Sequence, residues 1–192
     1  IGGSVFDHVG SYDVEIGSEN HLDASCTLEV VANPGPASTD VSGIPEGWSA
    51  GPVTFSLAPS GVASPFETFY ALGDGEVSEY TAPVEVTAEG ISTLSYFSCD
   101  DAGQAEATKT ATIRIDTTKP MTAIEGLPQD GVAKGPVTFS LSSADEASGV
   151  EPGAIRYVLD SVQPTSTYTT PVQVTGGGEH TVTYWAKDAV GN

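Results

Sequence analysis

Seven consecutive residues, Gly51-Pro52-Val53-Thr54-Phe55-Ser56-Leu57, return letter for letter as Gly135-Pro136-Val137-Thr138-Phe139-Ser140-Leu141, an offset of 84 positions. A chain that repeats itself at this spacing is built from units that fold alike. A second pair, Tyr80-Thr81-Ala82-Pro83-Val84-Glu85-Val86-Thr87 and Tyr168-Thr169-Thr170-Pro171-Val172-Gln173-Val174-Thr175, is offset by 88. The four extra residues fall within 143–148, between two strand-like stretches, where an insertion costs little.

Within each copy the apolar residues alternate. Val53, Phe55 and Leu57 are separated by Thr54 and Ser56, the period of a strand with one dry and one wet face. Residues 66–72 read as the next strand, and Gly73-Asp74-Gly75 turns the chain back. Val84 and Val86 continue the sheet. Leu94 and Tyr96 mark a further strand whose counterparts are Val182 and Tyr184, and Ala111, Ile113 and Ile115 mark the last one, with Thr112 and Arg114 facing out. Glycine and proline supply 35 residues of turn chemistry, and no 3.6-residue apolar period is sustained for three turns. Short strands separated by turns about every 8–12 residues predict an all-β protein of tandem β-sandwich domains.

The ends extend the pattern. Residues 10–16 align with 90–96 and residues 27–30 with 112–115, so residues 1–33 read as the closing strands of another module, 34–117 as a full module, and 118–192 as a module without its last strand. Either the native polypeptide continues in both directions, or the incomplete ends complement one another between molecules.

Twenty-six acidic residues face six basic ones, for a net charge of -20. Such a surface repels phosphate, which argues against a nucleic-acid partner and leaves cations as natural counter-partners. Acidity also keeps a long secreted polymer soluble. No segment approaches the roughly 20 apolar residues of a membrane-spanning helix, and the start lacks a signal-peptide pattern. Cys26 and Cys99 fall in different modules and opposite strand phases, so no disulfide is expected within the chain. His8, His21 and His180 lie beside no recognisable nucleophile, and no catalytic residue is expected. Lys109, Lys119, Lys134 and Lys187 read as outward or linker positions, unsuited to a spontaneous crosslink.

The combination of Gly-Pro-Val-Thr-Phe-Ser-Leu, Tyr-Thr-x-Pro-Val-x-Val-Thr, the run from Gly178 to Asn192 ending Asp188-Ala189-Val190-Gly191-Asn192, and the junction Ile115-Asp116-Thr117-Thr118-Lys119-Pro120 resembles the bacterial immunoglobulin-like repeats of large surface and secreted proteins. The likeness is greatest to the type named after a leptospiral outer-membrane protein, and it covers about residues 38–192. It implies immunoglobulin-like β-sandwiches in an extracellular or cell-surface stalk, adhesin or filament, with no enzymatic activity of the modules themselves. The first copy departs from the pattern where Gln104 replaces the terminal Asn.

Calcium is the cofactor worth testing. Asp116 in the linker should meet Asp188 and Asn192 in the closing loop of the next module, with Asp145, Glu146 and Glu151 nearby, an all-oxygen set that suits a hard cation. Alternatively, Asp116 caps a turn and Asp188 binds main-chain amides in its own loop. The first junction, residues 32–36, has no carboxylate before Asp40, and proline would stiffen it instead. Trp185 and Phe97 occupy equivalent outward positions, where they either contact a glycan or protein or cover the outer sheet. Trp48 should seal the pole of its module where the other copy carries Val132. Three functions follow: a non-catalytic spacer whose partners are neighbouring modules, an adhesin using Trp185, or a homo-polymer completed by strand exchange.

Overall fold

The computed structural model describes residues 10–16, 24–30, 38–61, 66–100, 104–161 and 165–192, and among these no helix occurs. Fifteen strands follow in chain order: β1 (Gly10–Ile16), β2 (Ala24–Val30), β3 (Ser38–Ser42), β4 (Val53–Ser60), β5 (Phe66–Leu72), β6 (Ser78–Glu79), β7 (Val84–Val86), β8 (Gly90–Asp100), β9 (Lys109–Ile115), β10 (Met121–Glu125), β11 (Val137–Ala144), β12 (Arg156–Leu159), β13 (Ser166–Thr167), β14 (Val172–Val174) and β15 (Val182–Trp185). All the paired strands are antiparallel.

The repeated sequence makes repeated sheets. In the first copy β3-β4-β7 form one sheet and β6-β5-β8-β9 another; in the second, β10-β11-β14 and β13-β12-β15 do the same. The registers coincide: Val53↔Val86 and Val41↔Leu57 in the first copy match Val137↔Val174 and Ile124↔Leu141 in the second. A one-residue slip would turn every apolar side chain to the wrong face, so the alternation fixes this register twice.

In the first copy the two sheets share one core. Val53, Phe55, Leu57 and Val86 from one sheet pack with Leu94, Tyr96, Ile113 and Ile115 from the other, all buried. Phe55 meets Tyr70 edge to face with centroids 5.6 Å apart, and Phe139 meets Tyr157 in the same way at 6.0 Å. The second copy buries fewer apolar side chains, namely Phe139, Leu141 and Val158. Its sheet lacks, among the described residues, a strand in the place β9 takes beside β8. There β15 spans four residues where β8 spans eleven.

Among the described residues, β1 and β2 pair only with each other. Gly10 stands opposite Val30 as Gly90 stands opposite Ile115, so this hairpin has the register of β8 and β9 that the sequence alignment requires. The proline-rich segment 32–36, together with His8 and His21, lies outside the described residues.

Candidate functional site

Asp116 follows β9 directly and is completely buried. Its main-chain N–H donates to Ser49 O at 2.8 Å, while Ser49 N–H donates to Arg114 O at 2.9 Å, so the β3–β4 loop clasps the end of β9. Its carboxylate then turns to the other repeat. Oδ1 accepts Thr118 N–H at 3.1 Å and Oδ2 accepts Ser148 N–H at 3.0 Å. Asn192 Nδ2 donates to the Asp116 carbonyl at 2.9 Å. One residue therefore carries hydrogen bonds to both sequence copies.

Two more aspartates converge on it. Asp145 Oδ1 accepts Ala147 and Gly149 N–H at 3.0 and 2.9 Å, tightening the loop that carries the four-residue insertion. Asp188 Oδ1 accepts the N–H groups of Val190, Gly191 and Asn192 at 3.0, 2.7 and 2.9 Å, and Oδ2 accepts Asn192 Nδ2 at 2.8 Å. Ala189 N–H donates to Gly149 O at 2.9 Å and joins the two loops. Burial pushes the Asp188 carboxyl up, but the Asn192 amide and the three N–H donors outweigh it and hold the group below its ordinary value.

One carboxylate oxygen from each of Asp116, Asp145 and Asp188 lies within 4.8 Å of the others. Of the six residues the sequence placed at this junction, Asp116, Asp145 and Asp188 are brought together, and Asn192 is bonded to Asp116 and Asp188. Glu146 is exposed and stands outside the group, as does Glu151. Both sequence-level roles for the aspartates are compatible with these contacts: the carboxylates build turns, and together they form an oxygen-only set of the type hard cations take. The buried Ser148 hydroxyl, on the residue whose N–H binds Asp116, has no hydrogen-bond partner.

A second polar cluster, not anticipated from sequence, joins the two sheets of the first copy. Thr39, Thr68 and Ser98 are buried. Ser98 Oγ lies 2.6 Å from Thr39 Oγ1 and 2.8 Å from Thr68 Oγ1, and the Thr39 hydroxyl donates to Glu106 Oε1. A hydroxyl has one proton and an ionised carboxylate only accepts, so the donors run Thr68 to Ser98 to Thr39 to Glu106. Glu106 also accepts Ser98 N–H at 3.0 Å, Thr39 N–H at 3.2 Å and Lys109 Nζ at 3.0 Å. Burial raises its pKa, but the Thr39 hydroxyl, Lys109 and the two amides more than offset this and leave it lowered. Lys109 reaches further to Thr39 O at 2.7 Å and Ser38 Oγ at 3.0 Å, so it is engaged across the sheets as well as facing outward. Only the three-residue spacing of Glu106 and Lys109 was visible in the sequence.

Among the remaining candidates, Phe97 stacks on Phe69 at 5.4 Å and Trp185 is 38% exposed, opposite Arg156. Trp48 is half-buried, whereas its counterpart Val132 is exposed. His180 Nδ1 pairs with Asp160 Oδ2 at 2.8 Å, and Nε2 lies 3.2 Å from Gly176 O. Cys99 is a free thiol, 3.7 Å from Glu67 O. No helix among the described residues is long and apolar enough to cross a membrane.

No protein-family model matches this chain, and no curated protein matches it.

Proposed function

We propose that the chain is a string of immunoglobulin-like β-sandwich modules, spanning residues 34–117 and 118–192 with a partial module before them, that serves as a non-catalytic spacer in an extracellular or cell-surface protein. The observation that carries this reading is Asp116. A buried side chain bonded to Ser148 on one side, with its main chain bonded to Ser49 on the other, couples two repeats more firmly than a flexible linker does. The likeness to bacterial immunoglobulin-like repeats supports the same role. The net charge of -20 suits a surface polymer that stays dispersed.

Calcium is the cation this junction would take, held by Asp116, Asp145 and Asp188. Three carboxylates so close repel one another, and the salt bridges formed among the described residues, Lys109–Glu106 and His180–Asp160, lie elsewhere. A divalent ion would relieve that repulsion and raise stability by binding the folded state alone.

Two measurements test the two parts separately. Small-angle scattering should give an elongated particle close to the summed module length, and a compact particle would reject the spacer. Thermal melting with millimolar calcium should raise Tm in the natural chain and leave Asp145→Asn unmoved. An unmoved Tm in the natural chain would remove the cation and leave the spacer standing.

A further inference from the structure

The outward face of β12 and β15 carries a tryptophan that its neighbours leave uncovered. Register places Trp185 opposite Arg156, as it places Phe97 opposite Phe69 in the first copy. There the two rings stack with centroids 5.4 Å apart, and both are half-buried. In the second copy an arginine stands in the place of Phe69, and Trp185 stays 38% exposed. Phe97 still reaches the surface although residues 105–109 run along that edge of β8, so this row faces outward with or without a neighbour there. Exposure alternates from Thr181 to Lys187, which sets Thr183, Trp185 and Lys187 on one line. The Arg156 guanidinium donates through Nη1 to Gly153 O at 2.9 Å and to Thr167 Oγ1, and is thereby held toward β13. Acids outnumber bases 26 to six in this chain, yet among the described residues neither Arg156 nor Lys187 takes part in a salt bridge. Two uncompensated cations therefore flank one exposed indole.

That combination selects a ligand. The electron-rich face of an indole attracts the polarised C–H bonds on one side of a sugar ring. A guanidinium fork takes a carboxylate through two parallel hydrogen bonds. The net charge of -20 sets how many anionic groups the ligand can carry. A polyanion would bring its whole charge into that field. One carboxylate at contact distance feels chiefly Arg156 and Lys187, because charges beyond about 8 Å are screened at physiological salt. We propose that Trp185, Arg156 and Lys187 form a binding site for a glycan that ends in a single acidic sugar, its ring on the indole and its carboxylate on the guanidinium, with Lys187 adding positive charge beside it. The site is separate from the aspartate cluster and needs no cation. The first copy, with Phe69 and Cys99 in the places of Arg156 and Lys187, has no equivalent.

Titration followed by the indole N–H resonance of Trp185, in EDTA and in a Trp48→Phe background, tests the site. Sialyllactose and a disaccharide capped by glucuronic acid supply a sugar carboxylate from a nonulosonic and a hexuronic acid, and lactose is the neutral control. At least one acidic sugar should shift the resonance and saturate by about 10 mM, where a millimolar site fills. Lactose should leave it in place. Which acidic sugar binds identifies the source of the carboxylate. Arg156→Gln should weaken binding at least about tenfold, the effect of one lost charge-assisted hydrogen bond. Lys187→Glu reverses the local charge on an exposed side chain and should weaken binding too, which keeps the test available if Arg156→Gln loses its hold on Gly153 and Thr167 and unfolds. No shift with either acidic sugar, an equal response to lactose, a folded Arg156→Gln or Lys187→Glu protein that binds as tightly as the natural chain, or tighter binding of a Glu-rich peptide would each overturn the proposal.

Discussion

The Ser148 main chain donates to the Asp116 carboxylate at 3.0 Å across 32 residues of sequence, so a side chain at the end of one repeat's last strand holds a loop of the next. Asp116→Ala would remove the acceptor shared by the N–H groups of Thr118 and Ser148. The expected loss is about 1–3 kcal/mol, read as a lower urea midpoint with an unchanged slope. A loss under about 0.5 kcal/mol, the size of an ordinary surface substitution, would show that the junction does not couple the repeats.

Gly43 and Gly126 occupy the same place in the two copies. Their φ angles are +87° and +88°, and an added Cβ would lie 2.3 Å from Thr54 O and 2.4 Å from Thr138 O. Neither main-chain oxygen can move without breaking its strand, so alanine at either position should cost at least about 2 kcal/mol. The tryptophans report which repeat suffers. Gly43→Ala should lower the transition followed by Trp48 in a Trp185→Phe background, and Gly126→Ala the one followed by Trp185 in Trp48→Phe. If either glycine shifted both transitions equally, the repeats would not be separate folding units.

Glu106 has a folded-state pKa below its ordinary 4.5. The ionised form is thus favoured by folding, and the stability it adds is complete above the unfolded value and is lost as pH falls through the folded one. Glu106→Gln should flatten the acid limb of the stability profile and cost about 1.5–3 kcal/mol at neutral pH, as expected of a lost charged hydrogen-bond centre. An acid limb identical in both proteins would refute the assignment.

His180 behaves in the opposite sense. The Asp160 carboxylate, helped by Gly176 O, raises its pKa above the ordinary 6.5. Any stability from the pair is present below the ordinary value and disappears as pH rises through the raised one. The proton resonances of the ring should titrate with a raised midpoint that returns toward 6.5 in Asp160→Asn. A midpoint unaffected by that substitution would dissociate the two residues.

Much of the architecture could be read from residue order. Val53-x-Phe55-x-Leu57 announces a half-buried strand, and its verbatim return announces the second copy, because side-chain alternation is a local property of extended chain. The convergence of Asp116, Asp145 and Asp188 was legible for a related reason: once strand order is fixed, loops at one pole must meet. Glu146 illustrates the limit, since which of two adjacent acids turns inward depends on the Asx turn that Asp145 makes with Ala147 and Gly149. The union of Thr39, Thr68, Ser98 and Glu106 left no trace. Its members come from four segments, and hydroxyl residues are the usual furniture of strands.

That union has a consequence in proton counting. Each oxygen of Glu106 already receives two hydrogens, from Thr39 Oγ1 and Ser98 N at one and from Thr39 N and Lys109 Nζ at the other. A carboxylate accommodates about four donors, so every acceptor lobe is occupied. An incoming proton has no vacant lobe to sit on: it must evict a donor or reverse the row of hydroxyls that ends at Thr68. Acid therefore reaches the seam between the sheets as a conflict over one hydrogen, felt by three strands at once.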